Sequence, residues 1–236
     1  MKATIGLLAA LALLAPGQVR AHGDDDPRLG KVMLDQLEWR EGTGSGDGAL
    51  VWEGDAWLGH DLHKLWLKTE GERVEGVTED AEVQLLYSRA LAPFWDIQVG
   101  WRGDLQPTPN RNWLALGVRG LAPYWFDTDL ALFADADGRT ALRLKAEYEL
   151  LFTQRLILSP DIEINLHGQD DRATATGSGL SDVELGLRLR YEIRREFAPY
   201  IGVVGWRKFG NSADFARRQG ERSDDLELVV GARFWF

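Results

Sequence analysis

Apolar and polar residues alternate along most of the chain beyond residue 31. Within 225–236, Leu226, Leu228, Val230, Ala232, Phe234 and Phe236 share one face, while Asp225, Glu227, Val229, Gly231, Arg233 and Trp235 share the other. A period of two is the signature of a β-strand with different surroundings on its two sides. Residues 181–194 repeat it, with Val183, Leu185, Leu187, Leu189, Tyr191 and Ile193 opposite Asp182, Glu184, Arg188, Arg190 and Glu192. On one such strand alone, a soluble sandwich or a lipocalin-type barrel fits as well as a membrane barrel. Turn signals divide residues 32–236 into about twelve strands, at 32–40, 49–58, 62–70, 77–88, 94–104, 111–120, 124–135, 139–152, 155–167, 181–194, 200–208 and 225–236. Most approach or exceed the roughly 9–11 residues that a tilted strand needs to cross a bilayer. Strands of globular proteins are shorter, about 5–6 residues. Long strands, an even strand number, aromatic residues at strand ends and the terminal Phe236 together predict an all-β fold, a transmembrane antiparallel up-and-down β-barrel.

The connections support that topology. Gaps at 41–48, 71–76, 105–110, 168–180 and 209–224 are long and polar, and those at 59–61, 89–93, 121–123, 153–154 and 195–199 are short. Outer-membrane barrels send long loops outside and short turns into the periplasm. The tight gap 136–138 is the exception on the outer side. Three short turns nearly repeat: Arg89-Ala-Leu-Ala-Pro-Phe94, Arg119-Gly-Leu-Ala-Pro-Tyr124 and Arg195-Glu-Phe-Ala-Pro-Tyr200. Each is expected to turn at Ala-Pro and to restart with an aromatic ring at the inner membrane–water interface.

The N-terminus adds an export signal. Met1-Lys2, an apolar run from Ile5 to Ala15 and the ending Val19-Arg20-Ala21 read as a secretory signal peptide over 1–21, leaving His22 as the first mature residue. Residues 22–31 read as a flexible periplasmic lead, and 32–236 as the barrel. No later run reaches the roughly 18 apolar residues of a membrane helix. The mean hydropathy of −0.26 suits a barrel, whose apolar residues are dispersed by alternation. Cysteine is absent, which removes disulfides and thiolate metal sites. Loss of Lys2 and Arg20 with the signal takes the formal charge from −10 to −12. That balance argues against nucleic acid and favours cations as partners, beside the lipid itself.

No nucleophile-elbow, zinc-protease, P-loop or dinucleotide motif is present. His167, with Asn165, Ser178 and Ser181 nearby, leaves a barrel hydrolase as one alternative. The polar faces carry many carboxylates, among them Glu53, Glu82, Asp129, Glu147, Glu163 and Glu184, with Lys68, Arg102, Arg143, Lys145 and Arg188 to pair them. Two readings stand together: an ion-pair network filling a narrow barrel, and a lumen that attracts cations. A structural or general-diffusion barrel needs only the first.

Several segments resemble one family. They are Asp35-Gln-Leu-Glu-Trp39, Trp52-Glu-Gly-Asp-Ala-Trp57, Leu121-Ala-Pro-Tyr-Trp-Phe126, Glu147-Tyr-Glu-Leu-Leu-Phe-Thr-Gln-Arg-Leu156, Gly177-Ser-Gly-Leu-Ser-Asp182, the run Gly186–Gly202, Lys208-Phe-Gly210 and the ending Arg233-Phe-Trp-Phe236. Together they are similar to the copper resistance protein B family across nearly all of 32–236. The resemblance implies an outer-membrane barrel that binds copper and supports copper tolerance by efflux or sequestration, with periplasmic copper proteins as possible partners. The chain departs from the family in lacking a long Met- and His-rich segment: Met33 is the only methionine after the signal. A Met-cluster store for Cu(I) is therefore not expected, and imidazole and carboxylate ligands favour Cu(II). The topology sends His22, His60 and His63 to the periplasmic end, with Met33 and Asp35 beginning the adjacent strand, and these five are the candidate copper ligands. Blander roles, as cleavage-site, turn and interface residues, remain open for the histidines.

Overall fold

The protein is described by a computed structural model covering residues 27–44 and 48–236; the expected signal peptide and most of the lead, including His22, lie outside the described residues. The strands are β1 (Leu29–Gly42), β2 (Gly48–Gly59), β3 (His63–Val74), β4 (Val77–Ala92), β5 (Trp95–Gln106), β6 (Arg111–Ala122) and β7 (Phe126–Asp135). They continue with β8 (Thr140–Glu147), β9 (Leu150–Leu151), β10 (Leu156–His167), β11 (Gly179–Tyr191), β12 (Phe197–Lys208) and β13 (Asp224–Trp235). One helix, α1 (Gly210–Gln219), lies between the last two strands. Each strand pairs antiparallel with its neighbours in sequence, and β1 pairs with β13, so the sheet closes. Because β9 prolongs β8 along β10, the ring has twelve staves. At the seam, the Phe236 N–H donates to Val32 O at 2.8 Å and the Val32 N–H to Phe236 O at 3.0 Å. The last residue thus completes the ladder that removes the sheet's free edges.

The alternation read from the sequence is the alternation of the wall. Leu226, Leu228 and Val230 are 50–63% exposed on the outside, whereas Val229 between them is 1% exposed inside. Three outward tryptophans lie over glycines: Trp39 over Gly48, Trp52 over Gly71 and Trp101 over Gly103, where any Cβ would strike the indole ring. All six positions lie in the half of the wall nearer the 168–178 loop, where amphipathic rings suit a membrane interface. At the opposite end Phe94, Tyr124 and Trp125 project, 70–83% exposed.

Four expectations need correction. The first strand starts at Leu29, not 32, because Leu29–Lys31 pair with Trp57–Gly59. The span 139–152 is not one strand: it breaks at Tyr148–Glu149, across from Pro160 of β10. Proline offers no N–H to the ladder, and only the Tyr148 N–H reaches it, donating to Pro160 O at 3.0 Å. The polar gap 209–224 holds α1, capped by Gly220 at φ 79°, whose N–H donates to the carbonyls of Ala216 and Arg217. Finally, the third Ala-Pro repeat is no turn. The chain reverses at 192–196, Pro199 pairs with Ala232 within β12, and Tyr200 is buried facing inward. Pairing with β11 ends at Arg190↔Tyr200, so Pro199 sits where β12 is paired on one side only, a position a strand tolerates.

Candidate functional site: the charged lumen

The inward positions enclose a cavity of about 1340 Å³. One side of the wall is apolar, with Trp66, Leu86, Trp113, Ala115, Phe133 and Ala141 packed together. The rest carries ion pairs. Arg188 donates from Nε to Glu38 Oε2 at 2.9 Å and from Nη2 to Glu38 Oε1 at 2.8 Å. Arg40 donates to the same Glu38 at 2.8 Å and holds Glu184 with two bonds of 3.0 Å. A second group centres on β8: Arg143 bonds Glu70 and Glu82, and Lys145 bonds Glu53 and Glu70. Lys68 meets Asp129 at 2.5 Å, and Arg119 lies 3.8 Å from both Asp55 and Asp127, with its guanidinium over the Trp66 ring.

Glu38, Arg40 and Glu70 were not singled out by sequence, yet Glu38 is among the most buried side chains, 1% exposed. A bulge between Leu34 and Gln36 interrupts the alternation of β1. Such an insertion re-aims side chains, and here Asp35 and Gln36 both line the cavity. No period-two reading detects that.

The candidate copper ligands are separated. Met33 and Asp35 line the lumen beside Arg233, whose Nε lies 2.7 Å from Asp35 Oδ1 and whose Nη2 lies 3.5 Å from Met33 Sδ. His60 and His63 face each other across the β2–β3 turn, where the His60 N–H donates to His63 O at 2.8 Å. The His63 ring stacks on Tyr87 on the exposed face of the wall, with Nδ1 2.5 Å from the phenol oxygen. Among the described residues, no three His, Cys, Asp or Glu side chains are arranged to hold a metal ion. The structure does bring His167 to Ser181, Nδ1 to Oγ 2.7 Å. Ser181 is 1% exposed, and its hydroxyl oxygen lies 2.8 Å from Gly177 O. The one hydroxyl proton thus has two acceptors within reach, Gly177 O and His167 Nδ1, and the histidine tautomer decides between them.

At one mouth of the barrel, where both line the cavity, α1 and the loop 168–178 dock on one another. Asn211 donates to both Asp170 oxygens at 3.1 and 2.9 Å, and the Gly177 N–H donates to Ser212 Oγ at 2.8 Å. Hydrogen bonds from Ser178 and Asn211 hold the Asp170 carboxyl below the usual carboxylate range. Asp171 is held low as well: its partial desolvation works upward, but hydrogen bonds from Arg111 and the Ala173 N–H outweigh it.

A closed twelve-stave antiparallel barrel, apolar outside and charged within, is a porin-like barrel of the outer-membrane type. The NanC porin has the same fold, with a TM-score of 0.55 and 14% identity, covering 87% of this chain and 99% of that one. The chain matches the copper resistance protein B precursor family over residues 28–236 and belongs to that family. It is 46% identical to copper resistance protein B of Escherichia coli over 221 residues, which is 93% of this chain and 74% of that protein. It is 45% identical to a copper resistance protein B homolog of Pseudomonas syringae pv. tomato over 205 residues, 86% of this chain and 69% of that protein.

Proposed function

We propose that this barrel resides in the outer membrane, binds copper and supports copper resistance by moving the ion across that membrane or holding it there. The observation that carries the reading is a carboxylate-rich, water-accessible lumen inside a wall belonging to a copper resistance family. A lumen lined with anionic groups concentrates cations, and a low-dielectric wall strengthens the effect. Copper is met first at the periplasmic end, by the imidazoles of His60 and His63 with the amine and imidazole of His22. Nitrogen donors of this kind suit Cu(II). Met33 and Asp35 then offer a thioether and a carboxylate inside, once Arg233 moves aside. Periplasmic copper proteins are the proposed donors of the ion. The test is a deletion strain assayed for copper sensitivity beside its general permeability to small solutes. Copper sensitivity with unchanged permeability is expected; a permeability defect with normal copper tolerance would leave only a general-diffusion barrel.

A further inference from the structure

Lys145 and Glu53 stand on β8 and β2, the eighth and second of twelve staves, and so face one another across the diameter of the lumen. Lys145 Nζ lies 2.9 Å from Glu53 Oε1, 2.7 Å from Glu70 Oε2 and 3.2 Å from Glu163 Oε2. Two residues further out on the same stave, Arg143 also reaches across, to Glu70 and Glu82. The rise of a strand sets the Cα atoms of Lys145 and Arg143 about 7 Å apart, and the two heads converge on the Glu70 carboxylate. Lys145 and its three partners keep 24–34% of their side-chain surface open, so lumen water reaches them.

We propose that Lys145 sets the charge selectivity of the lumen, as a tethered cation held where a mobile one would otherwise bind. Its ammonium bridges opposite walls and offsets one of three converging carboxylate charges. In its place, Glu53, Glu70 and Glu163 would face the passage with Arg143 as the nearest remaining counter-charge. An anionic constriction raises local cation concentration and excludes anions. The effect is independent of the metal carried, so it goes beyond the copper reading and stands or falls separately from it.

Single-channel recording in planar bilayers under a potassium chloride gradient tests the idea without any copper present. Lys145→Met keeps the length of the side chain and removes its charge. It is expected to raise conductance and to increase the cation-over-anion permeability ratio at least about threefold over the parent. Lys145→Arg should leave the ratio near the parent value. Glu53→Gln removes the far anchor while Lys145 keeps Glu70 and Glu163, and should lower the ratio. Heat-modifiable gel mobility establishes that each barrel is folded. An unchanged ratio in folded Lys145→Met overturns the proposal; if that variant does not fold, an unchanged or raised ratio in Glu53→Gln does so instead.

Discussion

Replacing Arg188 by methionine tests whether the lumen network holds the barrel together. Arg188 gives two hydrogen bonds to Glu38, one to Asp161 at 2.5 Å and one to Gln36 at 3.1 Å. Its side chain is 7% exposed and that of Glu38 is fully covered. Breaking a buried pair from one side costs about 3–5 kcal/mol, because the remaining charge is left uncompensated. Arg40 still reaches Glu38 Oε1, so the expected loss is about 3 kcal/mol. Neutralising the stranded acid in Arg188→Met/Glu38→Gln should recover part of it, giving a coupling of about 1–3 kcal/mol between the two sites. Urea titration of the refolded barrel in lipid vesicles, followed by tryptophan fluorescence, measures both quantities. A loss below about 0.5 kcal/mol, the range of ordinary surface substitutions, or strict additivity, would mean that Glu38 is adequately solvated and that the network carries no structural weight.

Three further outcomes are expected. Leu187→Lys, on the outward face of β11 beside Pro160 and Val203, should cost about 2–4 kcal/mol at mid-bilayer, and Thr174→Lys in the outer loop almost nothing; equal costs would contradict the assigned faces. Deleting Phe236 removes both backbone bonds to Val32 and should lower the yield of heat-modifiable folded barrel, a result that normal assembly would refute. The carboxyls of Asp170 and Asp171 are depressed in the folded loop, so their contribution is present above the unfolded value of about 4 and lost as pH falls through the folded values. Protection factors in 168–178, corrected for the slower intrinsic exchange at low pH, should therefore fall under acid while those of the wall strands hold, and a loop equally protected at pH 3 and pH 6 would be inconsistent with that docking.

Much of the wall was legible because lipid on one side and water on the other impose a strict period of two. Leu187 and Arg188 could be assigned to opposite faces from their neighbours alone. What escaped the sequence were departures from that period, each with a local cause. Pro160 breaks the facing stave at Tyr148–Glu149, although the proline was visible in a segment read as uninterrupted. The bulge at Leu34–Gln36 aims extra polar groups inward with no glycine or proline among its own residues to mark it, only Gly54 across from Leu34 on β2. Ala198-Pro199-Tyr200 copies two real turns in sequence, but β13 continues to Trp235 and captures it as strand. The lumen contacts were less accessible still. A lysine and a glutamate 92 positions apart meet because six staves separate them around a closed ring, and nothing in local sequence encodes that distance. His60 and His63 were correctly expected in and beside one short turn, but the outward direction of His63 follows from its place on β3, where Lys64 and Trp66 take the inner face.

Copper binding by the refolded barrel is the most direct test of the account. Cu(II) titration of the mature protein by calorimetry, beside His60→Ala/His63→Ala and His167→Ala forms shown to be folded, should give saturable binding that weakens in the double variant and persists in the His167 variant. A folded parent barrel with no saturable copper binding, or a double variant with undiminished affinity, would contradict copper capture at the periplasmic end.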